Sequence, residues 1–154
     1  PEKEWRYTQH RPFVADYPSK KRTIFLMQQR IRKQPYLEIF DGADPNATTA
    51  VRPLSTTPIQ ALFLMNNEFA YEQAFAFAER ANAAANDVDR IKQAYLLALG
   101  RVPTEEELQD ANDFIGKYSE ALKETDVPAE QYAKLAFASF ARILLSSNEF
   151  LFVE

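Results

Sequence analysis

The chain of 154 residues has no cysteine, one histidine and three glycines. Without cysteine there is no disulfide, no thiolate metal site, no cysteine nucleophile and no covalent haem attachment through C-x-x-C-H. With His10 as its one imidazole, a zinc site would need mostly carboxylates, and a Ser-His-Asp triad would have to recruit a residue near the terminus. Long apolar runs are also missing. The nearest, "LAFASFARILL", is interrupted by Ser139 and Arg142 and falls short of the roughly 18 residues of a membrane span. The start "PEKEWRYTQH" carries neither an initiator Met nor an apolar signal region, and it reads as part of a C-terminal piece of a longer polypeptide.

What is present suits a folded domain. Apolar residues make up 46% of the chain and 20 residues are aromatic: 12 Phe, 7 Tyr and 1 Trp. At this length roughly 70% of the unfolded surface can be buried, enough for a core without metal or disulfide staples. Charge is uneven. Lys20, Lys21, Arg22, Arg30, Arg32 and Lys33 add six positive charges with no acid between residues 17 and 37, whereas the chain as a whole carries −4. Residues 1–16 are neutral, so residues 38–154 hold −10.

Periodicity predicts an all-α fold: about six helices in an irregular bundle, with an extended N-terminal strap and one long connector. Residues 1–19, with three prolines and no helical period, form the strap, pinned by Trp5, Tyr7 and Phe13. Residues 20–34 read as a basic helix ended by Pro35. Residues 35–56 read as the connector, and 57–154 as a helical bundle in the same single domain. Thr57, Pro58 and Gln60 make a capping box with proline at the first helical position, and Asn66 or Asn67 caps the next helix. Phe69, Tyr71, Phe75 and Phe77 surround that helix and place it in the core. Val88, Ile91, Tyr95 and Ala98 stripe a helix that Gly100 stops. Thr104 and Glu107 form a second capping box, ahead of the stripe Leu108, Ala111, Ile115, Tyr118 and Leu122. The last helix, about 128–147, is striped by Tyr132, Leu135, Ser139 and Ile143. The apolar "NEFLFVE" docks.

The connector holds the most chemistry-bearing stretch, "FDGADPNATT" over residues 40–49. Calcium needs about 6–8 oxygen ligands, in an EF-hand at alternate positions; the positions alternating with Asp41 are Ala43 and Pro45, so that template fails. Asp41, Asp44 and Asn46 with backbone carbonyls make a looser ligand set. Against it stands a structural reading, two successive turns whose acids cap local N–H groups. Asp41 and Asp44 also have the residue types of a glycosidase pair, but so do many surface pairs. Arg22 on the basic helix suits carboxylate or sulfate groups of an anionic polysaccharide or a partner domain; its alternative role is a strut pairing with the acidic bundle. Overall acidity and the lack of a binding motif oppose nucleic acid. His10, with Tyr7 and Trp5, lines a small-molecule cleft or staples the strap.

Taken together, "SKKRTIFLMQQRIRKQPYLEIFDGADPNATTAVRPLSTTPIQALFLMNNEF", "LALGRVPTEEE" and "ARILLSSNEFLFVE" resemble the planctomycete PSD domain, a C-terminal domain of unknown function in planctomycete-type cytochrome-c-like proteins. The likeness runs from about Trp5 to Glu154. It implies a mostly helical domain of a secreted, periplasmic or cell-surface multidomain protein whose partners are its neighbouring domains. It assigns no reaction and no catalytic residues. It implies no cofactor in this chain, with haem confined to absent domains. The expectation is therefore a non-catalytic interaction module, with candidate contact residues His10, Arg22, Asp41, Asp44 and Asn46. The alternative is a domain that binds or acts on anionic carbohydrate around Asp41, Asp44 and Arg22.

Overall fold

The computed structural model describes residues 22–25, 30, 34–51, 55–81 and 86–152. Among them there is no strand, and seven α-helices run in the order α1 (Pro35–Ile39), α2 (Pro58–Asn66), α3 (Glu68–Ala81), α4 (Asp87–Leu99), α5 (Glu105–Leu122), α6 (Tyr132–Leu145) and α7 (Asn148–Leu151). The all-α expectation holds. Short 3₁₀ turns cover Thr23–Phe25 and Ala129–Gln131. The chain divides into two compact units, Pro1–Gln60 and Ala61–Glu154. The strap at 1–19 and His10 lie outside the described residues, as does most of the stretch read as the basic helix.

The first unit departs from the sequence reading at Pro35. The residue expected to end a helix begins one. Gln34 is extended, at φ −70° and ψ 124°, and α1 starts directly after it with proline in the first turn. Proline lacks an N–H that no residue there could use inside the helix, and its fixed φ is already helical. Tyr36 and Phe40, one turn apart, hold their ring centroids 4.8 Å from each other. Over residues 35–51 the stretch read as a connector is thus a short helix followed by turns.

The second unit is a bundle centred on α6, which packs against α3, α5 and α4 and meets α7. Its core unites Phe77, Ala78 and Ala81 of α3 with Ile91, Ala94 and Tyr95 of α4, Ala111 of α5, and Phe137, Phe140, Ala141 and Leu144 of α6. Alanines at the contacts let helix backbones approach closely, and the Phe rings fill the remaining space; Phe137 and Phe140 sit 5.7 Å apart. Arg90 lays its guanidinium 4.4 Å over the Phe137 ring.

Three stripes need correction. On α4, Ile91 and Tyr95 are buried but Val88 is exposed. On α6 the buried side is Phe137, Phe140, Ala141 and Leu144, whereas Ile143 is 52% exposed. The helix is apolar on more than one side, and the face with the larger rings takes the core. On α3, Phe77 is buried and Phe75 packs against the core, but Phe69 and Tyr71 are exposed. Full burial on α3 is therefore confined to Ala74 and the residues after it.

The helix ends form as expected. Gln60 donates its N–H to Thr57 Oγ1 (3.3 Å), and the Thr57 N–H returns a bond to Gln60 Oε1 (2.9 Å). The α3 cap is Asn67, whose side-chain oxygen accepts from the Phe69 N–H. Asn86 caps α4, and Gly100 ends it at φ 70°, a left-handed conformation that glycine adopts without a Cβ clash. Thr104 and Glu107 complete the reciprocal box at α5.

Candidate functional site

Asp41 sits where α1 turns back on itself. It is the one non-glycine residue with positive φ among those described, at 54°. The Gly42 N–H donates to the Leu37 carbonyl oxygen, the six-to-one bond of a Schellman ending. Glycine is required at 42 for space: a Cβ there would lie 2.6 Å from the Leu37 carbonyl oxygen and 2.7 Å from the Leu37 Cβ. In most such endings glycine takes the left-handed position itself. Here Asp41 takes it, one of the few side chains that tolerate that region.

The reason lies in what its carboxylate reaches. Oδ2 of Asp41 accepts from the Ser55 N–H at 2.8 Å and the Ser55 hydroxyl at 2.7 Å, with Gln60 Nε2 further off at 3.5 Å. Gln60 is buried, at 5% exposure. Its Nε2 donates to the Ile39 carbonyl oxygen at 3.0 Å. One glutamine thus caps α2 through its oxygen and ties the end of α1 through its nitrogen. The result is a knot: the end of α1, the Ser55 segment and the start of α2 converge on one carboxylate and one amide.

Asp44 and Asn46 form a separate turn. Asp44 Oδ1 accepts from the Asn46 N–H at 2.9 Å, and the Ala47 N–H donates to the Asp44 carbonyl oxygen at 3.2 Å. Asn46 Nδ2 donates to the Arg30 carbonyl oxygen at 2.9 Å. Arg22 is exposed, and its carbonyl oxygen accepts from the Phe25 N–H. No hydrogen bond or ion pair joins Arg22 to Asp41 or Asp44 among the described residues. Among those residues there is also no group of three or more His, Asp or Glu that could hold a metal ion, and no helix long and apolar enough to cross a membrane.

In the second unit a charged cluster stands out that sequence reading passed over. Arg101 Nη1 and Nη2 grip the Glu107 carboxylate at 2.8 and 2.7 Å, and Nε and Nη2 grip Glu149 at 2.7 Å each. The guanidinium also stands 5.5 Å over the Tyr95 ring. The clamp joins the α4–α5 corner to α7. The Arg101 hydrogen bond, followed by the Thr104 N–H, draws the Glu107 carboxyl down to about 2 from its ordinary 4.5. Glu149 is lowered too, first by its hydrogen bond to Arg101. Arg101 is raised in turn, chiefly by Glu107. Burial pushes the Tyr95 hydroxyl up, and the Glu107 charge adds to it. The signal for Glu107 was its place in the capping box; nothing local marked Glu149, 48 residues from Arg101.

No curated protein and no solved structure matches this chain. A family pattern does, over residues 2–115, which takes in the Asp41 knot and both capping boxes and leaves α6 and α7 outside the match. On that match the chain belongs to the PSD1 family, described as "Protein of unknown function (DUF1553)".

Proposed function

We propose that this chain is a non-catalytic helical module of a larger secreted or periplasmic protein, and that it docks onto neighbouring domains of the same polypeptide. The observation that carries the reading is a run of exposed apolar side chains. In the second unit, Leu62 and Met65 lie three residues apart on α2, and Phe69 follows in the first turn of α3; they are 56%, 56% and 51% exposed. Clustered apolar side chains left in water mark interaction surfaces more often than they mark nothing. The polar groups nearby in sequence are engaged in holding the chain: Asp41 and Asp44 both accept from main-chain N–H groups. That geometry favours docking over action on an anionic carbohydrate. The secreted location and the neighbouring domains, including any that carry haem, follow from the resemblance to cytochrome-associated planctomycete domains.

The test is association in solution. The chain is mixed with its flanking segments expressed separately, and binding is followed by analytical ultracentrifugation. Saturable association in the micromolar range is expected. It should be lost in the triple variant Leu62→Asp, Met65→Asp, Phe69→Asp while the helical circular dichroism is retained. Absence of association with every flanking segment, or association unchanged by the triple variant, refutes the docking reading.

A further inference from the structure

Within the second unit, α3, α5 and α6 enclose a cleft of about 80 Å³. Its lining combines apolar Phe75, Leu135 and Ala138 with Tyr118, Ser139 and Arg142. The Arg142 guanidinium is centred 4.1 Å over the ring of Tyr71, which also lines the cleft. It makes one hydrogen bond, from Nη1 to the Met65 carbonyl oxygen, at a long 3.4 Å. Arg90, Arg101, Lys123 and Lys134 each have a carboxylate partner, whereas Arg80, Lys92 and Lys117 have none among the described residues and do not line this cleft. Among the described residues Arg142 has none. An arginine has five N–H donors, so most of this one's capacity is unspent. The Ser139 hydroxyl and the Tyr118 hydroxyl likewise take no part in a hydrogen bond among the described residues.

A half-buried guanidinium without a counter-charge among the described residues, beside apolar side chains, fits one class of ligand. The ligand supplies a single negative charge with planar oxygens, which suit the arginine fork. It also supplies a short apolar tail. A cavity of about 150 Å³ holds benzene; at about half that volume, this cleft holds a chain of three or four carbons. We propose that the cleft binds a short aliphatic monocarboxylate. Its carboxylate would meet Arg142 and the Ser139 hydroxyl, and its alkyl chain would lie on Phe75, Leu135 and Ala138. The same chemistry occurs in a free fatty acid of that length and in the C-terminal valine of a peptide. The cleft borders the docking surface through the Met65 carbonyl and Tyr71, but none of the exposed side chains Leu62, Met65 and Phe69 lines it.

The experiment titrates the isotope-labelled chain with sodium butyrate and follows amide NMR shifts. Saturable shifts centred on Leu135, Ala138 and Ser139 are expected at millimolar concentration, with none from butylamine. Arg142→Gln should weaken binding about tenfold or more, the loss of one charge-assisted contact. Because Arg142 also contacts Tyr71, Ser139→Leu serves as a second variant that fills the cleft and keeps the charge; it should abolish binding, and it decides the matter if Arg142→Gln does not fold. A peptide ending in valine separates the sources: tighter binding than butyrate, lost on amidating its C-terminus, assigns the site to peptide ends, and weaker binding assigns it to free acids. No saturable shift with either probe overturns the proposal, as does binding that survives in a folded variant.

Discussion

The Asp41 knot and the Arg101 clamp do the same job by different physics. Each fastens a helix end to chain far away in sequence, and each uses a residue that also caps a helix: Gln60 in the knot, Glu107 in the clamp. In the knot, one carboxylate in a left-handed backbone gathers neutral donors from Ser55 and Gln60. In the clamp, one guanidinium with 38% exposure gathers two carboxylates. Hydrogen bonds to a charged group are each worth about 1.5–3 kcal/mol, and those of the knot are partly buried. Ion pairs open to solvent are worth about 0.2–1 kcal/mol and weaken with salt. A tight geometric fastener and a loose electrostatic one should therefore answer to different perturbations.

The largest effect is expected at the knot. Asp41→Ala removes the acceptor of the Ser55 N–H and hydroxyl and leaves alanine in a left-handed conformation, for a cost of about 2–4 kcal/mol. Asp41→Asn keeps an acceptor oxygen and tolerates the backbone, so about 1 kcal/mol is expected. Urea unfolding measures both, and faster hydrogen exchange at the Ser55 amide localises the loss. Equal costs for the two variants would show that the negative charge, which both remove, and not the left-handed backbone, sets the loss.

Acid should act on the clamp. The Glu107 carboxyl titrates at about 2 when folded, below its ordinary 4.5. A depressed carboxyl adds stability that is complete above its unfolded value and is lost as pH falls toward the folded one. The second unit should therefore lose thermal stability between pH 4.5 and pH 2, and Arg101→Gln should flatten that slope. An unchanged slope in Arg101→Gln would trace the acid loss to other carboxylates.

The smallest effect is that of Arg101→Gln at neutral pH. A drop in Tm of a few degrees is expected at low salt, shrinking toward zero in molar salt. The Asp41→Asn cost should hold nearly constant over the same salt range. If salt erases both effects alike, the distinction between the two fasteners fails.

The parts of the fold legible in sequence are those settled within one helical turn. Thr57 with Gln60, Thr104 with Glu107, and Gly100 after Leu99 each act across three or four residues, and each forms as read. The stripe on α5 also holds, with Ala111 and Leu122 buried. The α6 stripe differs from expectation because the helix is apolar on several sides, and periodicity cannot choose between such sides. Phe69 and Tyr71 differ for a related reason: aromatic content shows what can be buried, and only a neighbour's position shows what is. At Pro35 the same residue type can end a helix or begin one, and the extended Gln34 decided for a beginning. The candidate carboxylates were partly legible. The turn at Asp44 is local, through its bond to the Asn46 N–H two residues on.

By itself the sequence determined an all-α chain, the caps that punctuate it, the family to which it belongs, and the absence of thiol chemistry. Tertiary structure alone decided that Asp41 would reach Ser55 across 14 residues, that Arg101 would hold Glu149 across 48, and that Arg142 would be left without a carboxylate partner among the described residues. The physical reason is range. Helix propensity and capping act through neighbours along the chain, whereas the partner of a carboxylate or guanidinium depends on which distant segments packing brings within about 3 Å.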